Sequence, residues 1–406
     1  MDKAKSVKAV LLVSSCDTNA SSALIIPLMG MLAVMFPDSG TQISMLISLP
    51  SLVMIPTIFL SGKLSQYFSK KTLLNIGTAC YIIGGFGACL VPNLTFIVIM
   101  RGIVGIGCGI VYPLIPALIA QFWEGDQRAK MMGWASAAGS ILAMAMSVAS
   151  GFLAVQNWRY PFFLDLLWII LLIAQIRVLP KVPPERIDPA LMKTGERPRL
   201  TLSVYLDIFA MFIYLMVSMV YILKISIFIS VENLGNAANA GLASSAVTFC
   251  AFLISLFFTM FLKYAKRFTP VISLAFLGIC FYLLSIAYSF TLILAASVCM
   301  GFSLGLIFPY LNTRVSAIAP PGAKTFALSA MYTAGYTGQF LAAFYAQAID
   351  HIVGGSLRGT FQFMVGNIGV CIVVATVCVL ISMNMEKKKQ LGTRVEQKTE
   401  PEITGR

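Results

Sequence analysis

Charge is scarce in this 406-residue sequence: 11% of residues are Asp, Glu, Lys or Arg, against 58% that are hydrophobic. A water-soluble core cannot hide that much apolar surface, so a bilayer is the expected solvent. Histidine is limited to His351, and the nine cysteines (Cys16, Cys80, Cys89, Cys108, Cys250, Cys280, Cys299, Cys371 and Cys378) sit inside apolar runs without a CxxC pair. This pattern speaks against a zinc site, a histidine relay and a disulfide framework, and the cysteines read as small hydrophobes. No phosphate-cradling G-x-x-x-x-G-K-[ST] loop occurs, so the chain carries no ATP motor of its own. No metal or cofactor is expected.

Long apolar runs take the place of what is missing. A membrane-crossing helix needs about 20 mostly apolar residues, and twelve such runs follow one another almost end to end. The first six lie near 9–35, 41–61, 73–91, 94–121, 131–154 and 160–180, and the second six near 203–230, 240–262, 269–288, 290–315, 325–349 and 359–384. The start, with Lys3, Lys5 and Lys8 before a run too long for a signal peptide, reads as an uncleaved first span.

The cations set the expected orientation, because Lys and Arg in short loops stay on the cytoplasmic side. With both termini inside, the inner segments hold Lys63, Lys70, Lys71, Arg128, Lys130, the group from Arg177 to Arg199, Lys263, Lys266, Arg267, Arg314 and Lys324. The outer loops hold Arg159 and Arg358. The net charge of +13 is therefore a topology signal of a multi-pass cell-membrane protein, and a nucleic-acid partner has no basic module to bind. Trp123, Trp134 and Trp158 fall at run boundaries, as an aromatic belt requires.

One long hydrophilic stretch, "RVLPKVPPERIDPALMKTGERPRL" from Arg177, divides six runs from six. The expected organisation is an N-terminal six-helix bundle (1–180), a cytoplasmic linker (181–201), a C-terminal six-helix bundle (202–385) and a basic cytoplasmic tail (386–406). The halves match at a constant displacement of 196. Gly105 and Gly109 correspond to Gly301 and Gly305, Pro113 to Pro309, Lys70 and Lys71 to Lys266 and Arg267, and Ala138 and Gly139 to Ala334 and Gly335. A shared displacement over three helix regions indicates two like-oriented halves with a site between them near the midplane.

Twelve runs, a 6+6 division and a basic loop after the second run resemble the major facilitator superfamily of secondary transporters. The loop "GKLSQYFSKK" is similar to that family's G-x-L-x-D-R-x-G-R-R/K motif at Gly62, Leu64, Lys70 and Lys71, with Gln66 in the place of the aspartate, Tyr67 of the arginine and Ser69 of the glycine. In the family that carboxylate caps a helix and pairs across the halves. Gln66 hydrogen-bonds but forms no ion pair, so the inner gate must draw on other contacts. The fourth run resembles the family's R-x-x-x-G-x-G motif at Arg101, Gly105 and Gly107, and "NWRYPFF" resembles its W-R segment before the sixth helix. The fifth-helix signature of drug/proton antiporters, G-x-x-x-G-P-x-x-G-G, keeps Gly151 in its Gly-Gly pair, with Met146, Ser147 and Ser150 in place of the Gly-Pro and the other glycine. The resemblance implies an all-α twelve-helix membrane fold in two pseudo-symmetric bundles.

Candidate functional residues are the charges and polar groups within spans. An arginine at a helix centre costs about 2.5–3.5 kcal/mol on insertion scales, so Arg101 either snorkels to the outer interface or faces a wet cavity with a partner. The family resemblance favours the cavity. Asp17 is the expected partner, about 12 Å from the inner face against about 20 Å for Arg101; it either titrates or makes a static contact with Ser14, Ser15, Thr18 or Asn19. Asp165 is a weaker titrating candidate, and Asp207 lies near enough to the inner surface to be solvated. Lys224 either snorkels or joins Arg101 in attracting an anionic solute. Tyr332, Tyr336 and Gln339 share one helix face, suited to an amphiphilic ligand or to packing, and Tyr112 interrupts the fourth run. Gly105, Gly109, Gly301 and Gly305 are expected to serve close helix packing.

These features imply a non-enzymatic carrier of a small organic solute, working by alternating access as a monomer, coupled to protons and of the efflux type. An uptake symporter or facilitator for an organic anion and a non-transporting receptor are the alternatives. "GFSLG", Gly301 to Gly305, matches the serine-hydrolase G-x-S-x-G pattern, but Ser303 lies in an apolar helix with His351 as the sole histidine base.

Overall fold

Short polar turns start the long apolar helices. In the computed structural model Asn93 Oδ1 accepts the Phe96 N–H at 3.2 Å, Ser69 Oγ accepts the Thr72 N–H at 3.2 Å, and Asn236 with Asn239 forms a reciprocal capping box. Each cap satisfies an end-of-helix N–H that lipid cannot. The structure describes residues 3–15, 17–37, 39–65, 67–123, 125–180, 200–319 and 324–399.

The helices are α1 (Lys3–Ser14), α2 (Asp17–Ile25), α3 (Leu28–Met35), α4 (Gly40–Leu64), α5 (Lys70–Gly87), α6 (Leu94–Phe122), α7 (Gly125–Gln156) and α8 (Leu167–Val178), the last preceded by a 3-10 turn, Tyr160–Leu166. The second half holds α9 (Leu202–Val231), α10 (Ala237–Leu256), α11 (Phe258–Ala265), α12 (Thr269–Ser285), α13 (Phe290–Ile318), α14 (Lys324–Ile352) and α15 (Leu357–Thr399). Among the described residues there is no strand, and eight helical segments are long and apolar enough to cross a membrane. With the shorter and interrupted ones they make up the twelve spans of two six-helix bundles.

Three runs differ from their sequence reading. The first is not one helix but three. Ser14 Oγ donates to Val10 O at 2.8 Å, Ser15 Oγ donates to Leu12 O at 2.6 Å and to Ala135 O at 3.0 Å, and Pro27 has no N–H to continue a helix. The eighth is divided between α10 and α11. The last helix also continues past its apolar run, to Thr399.

Equivalent contacts recur in the two halves. Gly77 and Gly107 let α5 and α6 touch through backbone, with a Cβ at Gly77 only 3.1 Å from Gly107 O. Displaced by 196, Ser273 Oγ donates to Ser303 O at 2.9 Å between α12 and α13. Gly85 leaves room for the Asp165 carboxylate, and the equivalent pair is Phe281 against Phe361, with ring centroids 6.0 Å apart. Gly105 and Gly109 of α6 lie against Pro50, Met54 and Thr57 of α4, as Gly301 and Gly305 of α13 lie against Val247, Cys250, Ala251 and Ile254 of α10.

The bundles meet along α7 with α10, α4 with α14, and α3 with α9. Ser147 Oγ donates to Gly241 O at 3.2 Å, Ser245 Oγ donates to Met144 O at 3.0 Å, and Gly151 packs on Ala237 and Ala238. Gly30 N–H donates to Ser226 Oγ at 2.9 Å. These contacts join the halves on the side away from the end of α8 and the start of α9.

Candidate functional site

Arg101 is 2% exposed and does not snorkel. Its Nε donates to Leu46 O at 3.1 Å, and its Nη2 donates to Ser21 O at 3.1 Å and to Ser21 Oγ at 3.0 Å. One guanidinium thus ties α6 to α2 and α4 through its planar fork. Asp165 and Tyr81 are its polar neighbours. Asp165 is also 2% exposed, and its Oδ1 has no hydrogen-bond donor among the described residues. Asp17 opens α2, but its side chain lies outside the described residues. The partners seen on Arg101 are therefore Ser21 and Leu46.

Lys224 neither snorkels nor stands free. It is 8% exposed, and its Nζ donates to Asp350 Oδ2 at 2.5 Å; Asp350 Oδ1 accepts the Thr360 hydroxyl at 2.9 Å. A lysine so neutralised does not add to Arg101 as an attractor of anions. Asp207 is likewise not solvated: it is 5% exposed and pairs with Arg314 at 3.1 Å. In both cases a buried charge is retained because an opposite charge on a facing helix accompanies it.

The aromatic residues converge from both halves. Tyr112 of α6 meets Tyr336 of α14 edge to face, with centroids 6.1 Å apart. By helix rise the pair lies about 27 Å along α6 from Leu94 and about 18 Å along α14 from Lys324, near the midplane. Tyr332, one turn from Tyr336, donates its hydroxyl to Asn312 Oδ1 at 2.7 Å. Gln339 is half-buried on the same helix.

The basic loop is anchored within its own half. Lys70 Nζ donates to Gln121 Oε1 at 3.3 Å, and Lys71 Nζ donates to Ile176 O at 2.8 Å and Leu179 O at 2.6 Å. Gly62 is exposed, with open space where a Cβ would stand, and Gln66 lies outside the described residues. Ser303, the centre of the hydrolase-like pattern, bonds Tyr214 at 2.7 Å and Ser273 at 3.0 Å inside a helix bundle.

Sequence reasoning missed Ser21, Asp350 and Asn312. A serine in an apolar run carries no sign of its role. Asp350 had a signal, as an acid just past the end of the eleventh run, but it borders the loop and reads as solvated.

The Major Facilitator Superfamily family model matches residues 11–343 and 206–403. The MFS-type transporter YceJ of Bacillus subtilis (strain 168) is 26% identical over 366 residues, covering 86% of this chain and 90% of the relative. Quinolone resistance protein NorA of Staphylococcus aureus (strain MSSA476) is 26% identical over 309 residues, covering 73% and 78%. A crystal structure of a D-xylose-proton symporter superposes with a TM-score of 0.74 at 17% identity, over 92% of this chain and 97% of that one. The chain belongs to the Major Facilitator Superfamily, whose members are membrane transporters and not enzymes.

Proposed function

We propose that this transporter moves a small amphiphilic aromatic solute outward across the cell membrane, by proton-coupled alternating access, as a monomer with both termini cytoplasmic. The observation that carries the reading is the Tyr112–Tyr336 pair, which brings the two halves together near the midplane. Beside it stand the Tyr332–Asn312 bond and half-buried Gln339. Aromatic faces with a few convergent polar groups suit a flat, partly apolar ligand. Lys224 is committed to Asp350 and Arg101 to Ser21 and Leu46, which weakens the organic-anion alternative. The likeness to a quinolone resistance protein supports export of an aromatic solute.

Asp165 is the coupling carboxylate that the geometry favours, being buried beside a cation with one oxygen unpaired among the described residues; Asp17 is the second candidate. The 181–201 linker joins the moving halves, and the Gly62–Lys71 loop, with Gln66, gates the linker side. Accumulation of aromatic drugs and organic anions in cells with and without the protein tests this reading. Aromatic drugs should accumulate less in cells that contain it, and Tyr336→Ala should abolish the difference. A response confined to organic anions, or no flux of any solute, overturns it; the latter favours a receptor.

A further inference from the structure

An apolar cavity of about 350 Å³ lies away from the contacts between the halves, enclosed by α1, α7 and α8. Val10, Val13, Met146, Leu167, Leu171 and Ala174 are among its walls. Val13 is 44% exposed and Leu167 55%, and the neighbouring wall residue Ile170 is 68% exposed, so the cavity opens laterally toward the surrounding bilayer.

Two hydrogen bonds fix its depth. Ser15 Oγ donates to Ala135 O at 3.0 Å and Gln175 Nε2 donates to Ser14 Oγ at 2.9 Å, which sets residue 135 of α7 level with residue 175 of α8. The walls supplied by α7 and α8 all lie on one side of that level, reaching roughly 10–16 Å from it by helix rise. On the other side stand two cations. Lys8 Nζ lies 3.8 Å from the ring centroid of Trp134, and Arg177 is exposed in the last turn of α8. A cation held on an interfacial tryptophan marks headgroup depth, and the apolar slot continues from there into the hydrocarbon.

We propose that this cavity is a binding site for an anionic phospholipid, with one acyl chain between α1, α7 and α8 and the phosphate between Lys8 and Arg177. Lys71 is already occupied by the Ile176 and Leu179 carbonyls, whereas exposed Arg177 at that helix end has no acidic partner among the described residues. An uncharged apolar solute would use the slot without the cations; the charge pair at its mouth is what selects an anionic lipid.

The test is native mass spectrometry of the purified full-length protein with equimolar phosphatidylglycerol and phosphatidylcholine of identical chains. Phosphatidylglycerol should be retained preferentially. Lys8→Gln with Arg177→Gln should remove that preference, by roughly fivefold per cation, while phosphatidylcholine retention stays unchanged. Ala174→Trp should reduce retention of both lipids by filling the slot. Arg177 is exposed and Lys8 half-buried, so the double variant tests the headgroup arm even if the tryptophan variant fails to fold. Equal retention of the two lipids by the unmodified protein, or a preference that survives the double substitution, overturns the proposal.

Discussion

Gly30 and Ser226 stand 196 residues apart and bond directly, the Gly30 N–H donating to Ser226 Oγ at 2.9 Å while that hydroxyl donates to Pro27 O at 2.9 Å. The spacing equals the displacement between the halves, so two equivalent positions meet each other. A residue touches its own equivalent only close to the axis that relates the repeats. The contact joins the halves at the end opposite the start of α9, and there is no space for bulk in it: a Cβ on Gly30 would overlap Ser226 O and Ser230 Oγ.

Ser226→Ala should therefore loosen that contact. Losing one buried bonded hydroxyl costs about 1 kcal/mol, enough to shift a two-state equilibrium about fivefold. Spin labels at exposed Tyr160 and Tyr288, in opposite halves, should show a larger population at long separation. An unchanged distance distribution means that the contact does not bias the conformational equilibrium.

The Lys224–Asp350 pair should behave as a coupled unit. Lys224→Gln and Asp350→Asn should each destabilise the protein by about 2 kcal/mol, between the values for exposed and fully buried pairs, since the side chains are 11% and 29% exposed. Thermal unfolding of the single and double variants forms a cycle. The double variant should lose less than the sum of the two, and strict additivity would deny the coupling.

Glycine-to-alanine substitutions should differ in sign with position. At Gly62 alanine meets nothing and gains helix propensity of about 1 kcal/mol; at Gly105 a Cβ stands 2.7 Å from Pro50 O, and overpacking costs about 1–3 kcal/mol. Melting temperatures of the two variants check this, and a stabilising Gly105→Ala would mean that α4 and α6 yield freely.

Arg101 and the buried acids should separate by phenotype. Arg101→Ala leaves Ser21 and Leu46 without their donor and should abolish transport in an inserted protein, and Arg101→Lys should rescue poorly because an ammonium cannot bridge both carbonyls in one plane. Asp165→Asn should keep downhill exchange and lose proton-driven accumulation in proteoliposomes. Asp17→Asn is the companion variant: uncoupling there, with Asp165→Asn fully coupled, would transfer the proton site to α2.

The fold was legible because a membrane writes itself into the sequence: apolar length gave the spans, and the spacing of Gly105, Gly109, Gly301 and Gly305 gave the repeat. The interruptions of the first span were less legible. Ser14, Ser15 and Pro27 are small steps in an apolar run, and their effect depends on which backbone carbonyls they reach, including Ala135 on another helix. Charge partners were least legible. Counting depth along helices leaves the angle around each helix undetermined, and it is that angle that turns Arg101 toward Ser21 and Lys224 toward Asp350; the Asp17 side chain lies outside the described residues.

The central claim is that the two halves move against each other to carry solute. Met144 and Ser245 lie in contact across the halves, Ser245 Oγ donating to the Met144 backbone O at 3.0 Å. In a cysteine-free background, Met144→Cys and Ser245→Cys joined by a short bifunctional thiol reagent should hold the side away from the linker closed. Flux of an aromatic solute in proteoliposomes should then fall to background, while either single cysteine treated with the same reagent keeps its transport. Undiminished flux through fully cross-linked protein would contradict alternating access in this molecule.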